Sequence, residues 1–433
     1  MVKFRWEKDF RETIFGEIPR DWSEKLIKDV GDVGGGSTPS TKVKEYWDGT
    51  VAWITPDDLA NHMFKYISHG KRNITERAVK EHSLRIFPSG TVLLTSRAPI
   101  GYLAIAKNPV TTNQGFKNII PKDGTNSEFL FYLLKNIVEY LRDIAGGSTF
   151  SELTAATLRE VKIPYPNSEE QSRIAIILSY FDNLIENKII QNEVLEKTAM
   201  AIFKSWFMDF EPFKDEEFVD SPLGKMPKGW SLKPIGELAE VRNGISYSGK
   251  EKFEEPTGYI FITLNNILRG GGFKMEYSWI KSNRISEHQF LEEEDLIMAN
   301  TDMTQDAKVI GSPAIVIFPY GYEDKGVYSH HITKLTPKMK ELKLFLYLFL
   351  KMTQEENATF STGTNVLGLD IENFKRNKIV ICPPRDVIEK FNSLIGCLFR
   401  KIIVNQKQIM VLRKIRDALL PLLVFGRLRV EEI

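Results

Sequence analysis

The side chains that could carry chemistry are few and scattered. The six histidines are His62, His69, His82, His288, His330 and His331, and none stands in an H-E-x-x-H pattern or at Cys/His ligand spacing. Adjacent residues on a strand point to opposite faces, so His330 and His331 are poorly placed to share one ion, and no metal site is expected. Glu292-Glu293-Glu294-Asp295 reads as a solvated turn. Asp57 and Asp58 lack a following Glu-x-Lys partner for nuclease chemistry, and no serine or cysteine nucleophile motif is present. Without a Gly-x-x-x-x-Gly-Lys-Ser/Thr loop, nucleotide hydrolysis is not predicted. Gly34-Gly35-Gly36 follows no strong strand and opens no helix, so it reads as a loop, and Gly270-Gly271-Gly272 reads as a turn; neither supports a dinucleotide or methyl-donor site. This inventory favours binding over catalysis.

Composition sets the frame. A chain of 433 residues has room for two to four domains. Its net charge of +1 excludes strong overall basicity, so any nucleic acid would have to be held by local patches. Cys382 and Cys397 alone exclude a disulfide framework and a Cys-only zinc site, and predict a reducing, cytoplasmic setting. The longest apolar runs, 344–350 and 418–425, are too short to cross a bilayer, and no membrane association is expected.

What positions the side chains is a repeat. Phe15-Gly16-Glu17-Ile18-Pro19-Arg20-Asp21-Trp22-Ser23-Glu24-Lys25 recurs 208 residues later as Leu223-Gly224-Lys225-Met226-Pro227-Lys228-Gly229-Trp230-Ser231-Leu232-Lys233. The offset then reads as 216, aligning Phe129-Leu130 with Phe345-Leu346, Leu134-Lys135 with Leu350-Lys351, Gly147 with Gly363, Leu153 with Leu369 and Lys162 with Lys378. Near the ends of the halves it reads as 218, from Pro166 and Pro384 to Asn187 and Asn405. A slow drift with the order kept indicates one duplicated unit with loop insertions.

Each half opens with short β-rich runs (51–54, 92–94, 314–318) set between turn residues, with a helical run at 128–140 or 342–352, which predicts an α+β head. Proline punctuation (Pro164 and Pro166; Pro383-Pro384) precedes a long helix-compatible stretch. In the second rod Ile395, Leu398, Ile402, Asn405, Ile409, Leu412, Arg416 and Leu419 alternate steps of three and four, the spacing of a coiled-coil seam. Asn405 and Arg416 are polar interruptions of the kind that fixes register. The first rod carries a looser seam through Phe181, Ile185, Ile189, Asn192, Leu195, Ala199, Ile202 and Trp206. Residues 166–220 hold 5 basic and 12 acidic residues, a net of −7, and residues 385–433 hold 10 and 5, a net of +5. Opposite charge predicts that the rods pair with each other, antiparallel, giving the monomer approximate two-fold symmetry.

This arrangement resembles the DNA specificity (S) subunits of type I restriction-modification systems. The carriers are the duplicated Gly-x-x-Pro-x-x-Trp entry (Gly16, Pro19, Trp22; Gly224, Pro227, Trp230), the segment Val92 to Gly101, Asn113-Gln114-Gly115, and Ile163-Pro164-Tyr165-Pro166 leading to a helix that ends near Phe210. The second copy departs from the pattern, with Ser329-His330-His331 where Asn113-Gln114-Gly115 stands, which puts the bases read in doubt more than the fold. The resemblance implies two target-recognition domains, 1–165 and 213–384, separated by spacer helices at 166–212 and 385–433. Each domain would read one half of a bipartite, asymmetric duplex site, with the helices as a ruler between successive major grooves. No cofactor is expected in this chain. Modification subunits docked on the helices would use S-adenosylmethionine, and restriction subunits would use ATP and Mg²⁺. Two other readings stay open from the residues alone: a coiled-coil scaffold that does not touch DNA, and a self-contained nuclease.

Base contacts need forked or amide side chains on loops, with Lys, Ser and Thr on phosphates. Under the resemblance the candidates in the first head are Lys42, Tyr46, Arg97, Asn113, Gln114, Lys117, Ser148 and Thr149. In the second head they are Asn243, Tyr247, Lys250, Asn265, Asn266, Arg269, Thr301, Gln305, His330, His331, Thr364 and Asn365. The helices' largest imbalances nearly cancel, so weak DNA affinity is expected of the isolated chain, with partners supplying positive surface.

Overall fold

The computed structural model describes residues 2–60, 62–146, 151–304, 306–322, 326–364 and 366–432. The chain forms two compact units, residues 1–187 with 411–433 and residues 188–410.

In the first unit the five buried residues of strand Val92–Ser96 lie between Lys117–Pro121 and Ile100–Ala106, with Gly31–Gly35 and Tyr66–Ile67 at the edges. A three-stranded sheet of Thr111–Thr112, Trp47–Ile54 and Arg72–Ile74 stands beside it. Helix Ser127–Asn136 starts where the Asn126 side chain accepts the N–H groups of Glu128 and Phe129. Its six consecutive buried residues, Phe129 to Leu134, leave almost no polar face, as expected of a helix enclosed by its own domain. The helical run breaks at Ile137, and Val138–Asp143 forms a second, shorter helix. Strands Lys3–Trp6 and Leu428–Glu432 pair antiparallel, so both ends of the chain lie in this unit.

The second unit repeats the plan. Strands Ala239–Asn243, Ile332–Pro337, Leu296–Ala299 and Pro313–Ile315 form one sheet, and Gly326–Tyr328 and Tyr259–Ile262 are central to another. Helix Leu342–Met352 is the counterpart of Ser127–Asn136. Main-chain hydrogen bonds fix the correspondence. Asn113 N–H to Ile54 O (3.0 Å) matches Ser329 N–H to Ile262 O (3.0 Å), and Leu153 N–H to Ser96 O (3.0 Å) matches Leu369 N–H to Asn300 O (2.8 Å). Ser37 N–H to Thr112 O (2.9 Å) matches Ile245 N–H to Tyr328 O (2.8 Å). A Cβ on Gly36 would lie 2.0 Å from Thr112 O, and one on Gly244 would lie 2.1 Å from Tyr328 O, so both copies keep glycine where two backbones meet.

These bonds correct three readings. The offset does not drift steadily: Ser96 corresponds to Asn300, an offset of 204, and the second copy recovers the length between Asn300 and Ser329. Lys162 corresponds to Ile379 rather than Lys378, because Lys162 pairs with Leu26 as Ile379 pairs with Pro234. Gly34 and Gly35 belong to a strand, paired to Asn118 and Lys117; they lack the β-branched side chains that mark strands in a sequence.

Helices Ser168–Phe207 and Arg385–Val424 are each 40 residues long. Within the first unit Arg416 Nη1 donates to Asp182 Oδ1 at 2.6 Å. Within the second, Asn405 Nδ2 donates to Asn192 Oδ1 at 2.9 Å and Lys188 Nζ to Gln408 Oε1 at 2.5 Å, so that one helix's numbering falls as the other's rises. Of the seam residues, Ile395 and Ile409 are buried, while Phe181, Leu195, Ile202, Trp206, Leu398, Ile402 and Leu412 are partly buried. The seam is misplaced at the end of the first helix. Phe203 and Phe207 are the buried residues there, packed on Phe345 and Phe391. A helix docked on a domain follows a 3.6-residue period, which carries the buried stripe off a 3.5-residue seam.

Candidate nucleic-acid interface

In the first unit, the end of strand Val92–Ser96 and the turn before Lys117–Pro121 are joined by Ser96 N–H to Gly115 O at 2.8 Å. That bond brings Arg97, Asn113, Gln114 and Lys117 into one cluster. Asn113 Oδ1 accepts the Gly115 N–H at 2.8 Å and so shapes the turn. Gln114 is exposed, and its Oε1 accepts the Thr38 hydroxyl at 2.5 Å. Lys117 Nζ reaches Ser96 Oγ (3.2 Å) and Glu152 Oε1 (3.1 Å), while Arg97 lies 3.8 Å from Glu152 Oε2. Glu152 thus holds both cations in check. Lys42 is exposed on the loop before the Lys44–Tyr46 turn. Tyr46 is a correction: it is buried, its hydroxyl donates to Glu81 and its ring packs edge-on against His82, so its aromatic surface goes to the fold.

In the second unit the equivalent turn is Ser329 to Ile332, closed by Ile332 N–H to Ser329 O at 2.9 Å. His330 and His331 are its central residues rather than strand residues, so their rings lie together, with centroids 3.9 Å apart, contrary to the expectation of opposite faces. His331 Nδ1 is 3.2 Å from Thr301 Oγ1, and His330 Nδ1 is buried with no hydrogen-bond partner among the described residues. Burial, and then the neighbouring His330, hold the His331 imidazolium below the ordinary histidine range. The turn is tied down by Asn300, which sequence reasoning missed. Its Nδ2 donates to Asn243 Oδ1, His330 O and Thr333 Oγ1, each at 3.0 Å, and its Oδ1 accepts the Thr301 hydroxyl at 2.8 Å.

Tyr247 packs edge-on against Phe261 and tilts toward His330. Lys250, Asn265 and Thr364 are exposed, and exposed Arg269 lies 3.2 Å from Asp306. Asn266 and Thr301 are corrections, being buried with their polar atoms used internally: Asn266 Nδ2 donates to Lys274 O and Glu276 O. Ser148, Thr149, Gln305 and Asn365 lie outside the described residues.

The acidic run 292–295 does form a turn, but not merely a solvated one. Glu293, Glu294 and Asp295 pair with Lys407, Lys343 and Lys334 respectively. Among the described residues no group of three His, Cys, Asp or Glu side chains could hold a metal ion, and no helix is long and apolar enough to cross a membrane. What the two turns present is exposed or half-buried amide, guanidinium and imidazole groups on rigid backbone, the groups that read base edges.

Known proteins share this plan. The family described as type I restriction modification DNA specificity domain matches residues 19–196 and again residues 227–391. The MjaIX type I restriction enzyme specificity subunit of Methanocaldococcus jannaschii is 51% identical over 100% of this chain and 99% of its own length. The MjaVIII specificity subunit of the same organism is 22% identical over 100% and 99%. A crystal structure of a type I restriction-modification S subunit from M. genitalium superposes over 93% of this chain and 96% of its own, with a TM-score of 0.54 at 16% identity, a likeness of fold.

Proposed function

The chain belongs to the family of type I restriction modification DNA specificity domains, and from that membership we propose that it is the non-catalytic, DNA-reading member of a type I restriction-modification assembly. Recognition domains 1–165 and 213–384 each read one half of a bipartite, asymmetric duplex sequence. The helical segments 166–212 and 385–433 form an antiparallel coiled coil that sets the spacing between the halves. The Asp182–Arg416 and Asn192–Asn405 contacts support this pairing. Modification subunits, carrying S-adenosylmethionine, dock on the helices; Ile176 and Tyr180, and Ile190 and Val194, are exposed apolar residues there. Restriction subunits supply ATP- and Mg²⁺-dependent cleavage, and the assembly works in the cytoplasm.

The observation that carries this reading is the pair of equivalent turns. Both are held by the same main-chain bonds, yet one presents Asn113 and Gln114 and the other His330 and His331. A duplicated scaffold with unlike side chains suits an asymmetric site. Methylome mapping of cells that express this chain with its modification partner tests it. One interrupted, asymmetric motif is expected; unmodified DNA, or a single uninterrupted motif, would count against the reading.

A further inference from the structure

In the first unit a cavity of about 310 Å³ opens between residues 62–65, strand Ile100–Ala106 and the two long helices. Its wall includes the aromatic rings of Phe64, Tyr102 and Phe131 and the charged groups Lys65, Lys135, Asp182, Glu186, Arg413 and Arg416. Lys65, Asp182 and Arg416 are already matched. Lys65 Nζ lies 2.5 Å from Glu128, and Arg416 lies 2.6 Å from Asp182 and 2.8 Å from Asp417. Asp182 also accepts the Tyr132 hydroxyl at 2.6 Å.

Lys135 has no such match. Among the described residues its ammonium has no ion-pair or hydrogen-bond partner, and the Phe131 ring lies 5.9 Å away. Burial, followed by the charge of Arg416, pushes its protonation below the ordinary lysine range. The repeat supplies a control. Lys351 is the corresponding residue in the second unit, and it is satisfied: its Nζ lies 2.5 Å from Glu196 Oε1 and 3.1 Å from Gly271 O. One copy of the repeat therefore completes the lysine with a carboxylate from its own helix, and the other leaves it facing a cavity. A half-buried ammonium with no direct ion pair is a cost to the fold that the more distant Asp182 and Asp417 offset only in part, and an anion entering the cavity lowers it further.

We propose that this cavity binds a small phosphate-bearing anion, with Lys135 as its principal ligand. The volume is at the lower end of small-ligand sites, which suits a pyrophosphate or the phosphate end of a nucleotide and excludes a duplex. Bound there, the anion would join helix Ser127–Asn136 of the first domain to the helical segments through one shared charge.

Thermal unfolding and calorimetric titration of the full chain test the site, with pyrophosphate and ATP as probes and sodium chloride at matched ionic strength as the control. Pyrophosphate is expected to raise the melting temperature beyond the chloride control. Lys135→Met should raise the melting temperature without ligand, abolish the pyrophosphate-dependent shift, and weaken binding by about tenfold or more, the loss of one charge-assisted contact. An equal response to ATP would identify the phosphate as the recognised group, and a response to ATP alone would identify a nucleotide as its source. A shift that chloride reproduces, a shift that Lys135→Met retains, or no shift in the unaltered chain with either probe would overturn the proposal.

Discussion

The two reading turns share a skeleton and differ in how it is braced. In the first unit the residue at the end of the central strand is Ser96, whose hydroxyl accepts from Lys117 and donates to Gly115 O at 3.2 Å. In the second it is Asn300, whose amide ties three separate segments together. The backbone bonds that place each turn are alike to within a few tenths of an ångström. Main-chain bonding therefore fixes where the turn sits, and the side chain beneath it decides how rigidly the tip is held.

The sharpest way to break the comparison lies at the two helix contacts. Arg416→Ala leaves the half-buried Asp182 beside Tyr132 without its cation and should lower stability by about 3 kcal/mol. In contrast, Asn405→Leu replaces a buried amide, whose Oδ1 has no partner among the described residues, by an apolar group and should be close to neutral. Denaturant unfolding of the two variants measures both effects, and equal losses would contradict the distinction between a charged and a neutral contact. Next in size is the brace. Asn300→Ala removes four hydrogen bonds from a buried site and should cost about 2 kcal/mol, whereas Ser96→Ala should cost about 1 kcal/mol.

A smaller effect comes from pH. The His331 site in the folded chain holds the proton less tightly than the unfolded chain does, so between the two values the unfolded state binds more protons. Stability from this source is present above the ordinary histidine value near 6.5 and is lost as pH falls through the lowered one. His331→Gln should therefore show a weaker loss of stability between pH 7 and pH 5 than the unaltered chain does.

Much of the architecture was legible in the sequence because it rests on local signals. The Gly-x-x-Pro-x-x-Trp entries announced the repeat, and their tryptophans are buried: Trp22 donates to Glu170 at 3.0 Å, and Trp230 packs among Phe207, Phe210 and Phe213. The long helices followed from period and, in the first, from the absence of Gly and Pro; the second carries Gly396 and Pro421 within it. Residues whose role depends on distant partners were not legible. Asn300 draws its three acceptors from positions 57, 30 and 33 residues away, and nothing beside it in sequence marks it. Tyr46 looked like a loop aromatic because Glu81 and His82, which enclose it, are about 35 residues distant. That Lys135 has no direct ion pair among the described residues became visible only beside its repeat partner Lys351, which is paired.

The most direct test of the central claim is sequence selection from a random duplex library by the chain in complex with its modification partner, comparing the unaltered protein with Arg97→Ala and with His331→Ala. Two separated half-sites are expected from the unaltered chain. Arg97→Ala should relax base preference in one half, losing about 1–3 kcal/mol of discrimination at the affected position, and His331→Ala should relax the other. Loss in both halves from either substitution, or relaxation of the same half by both, would contradict the account.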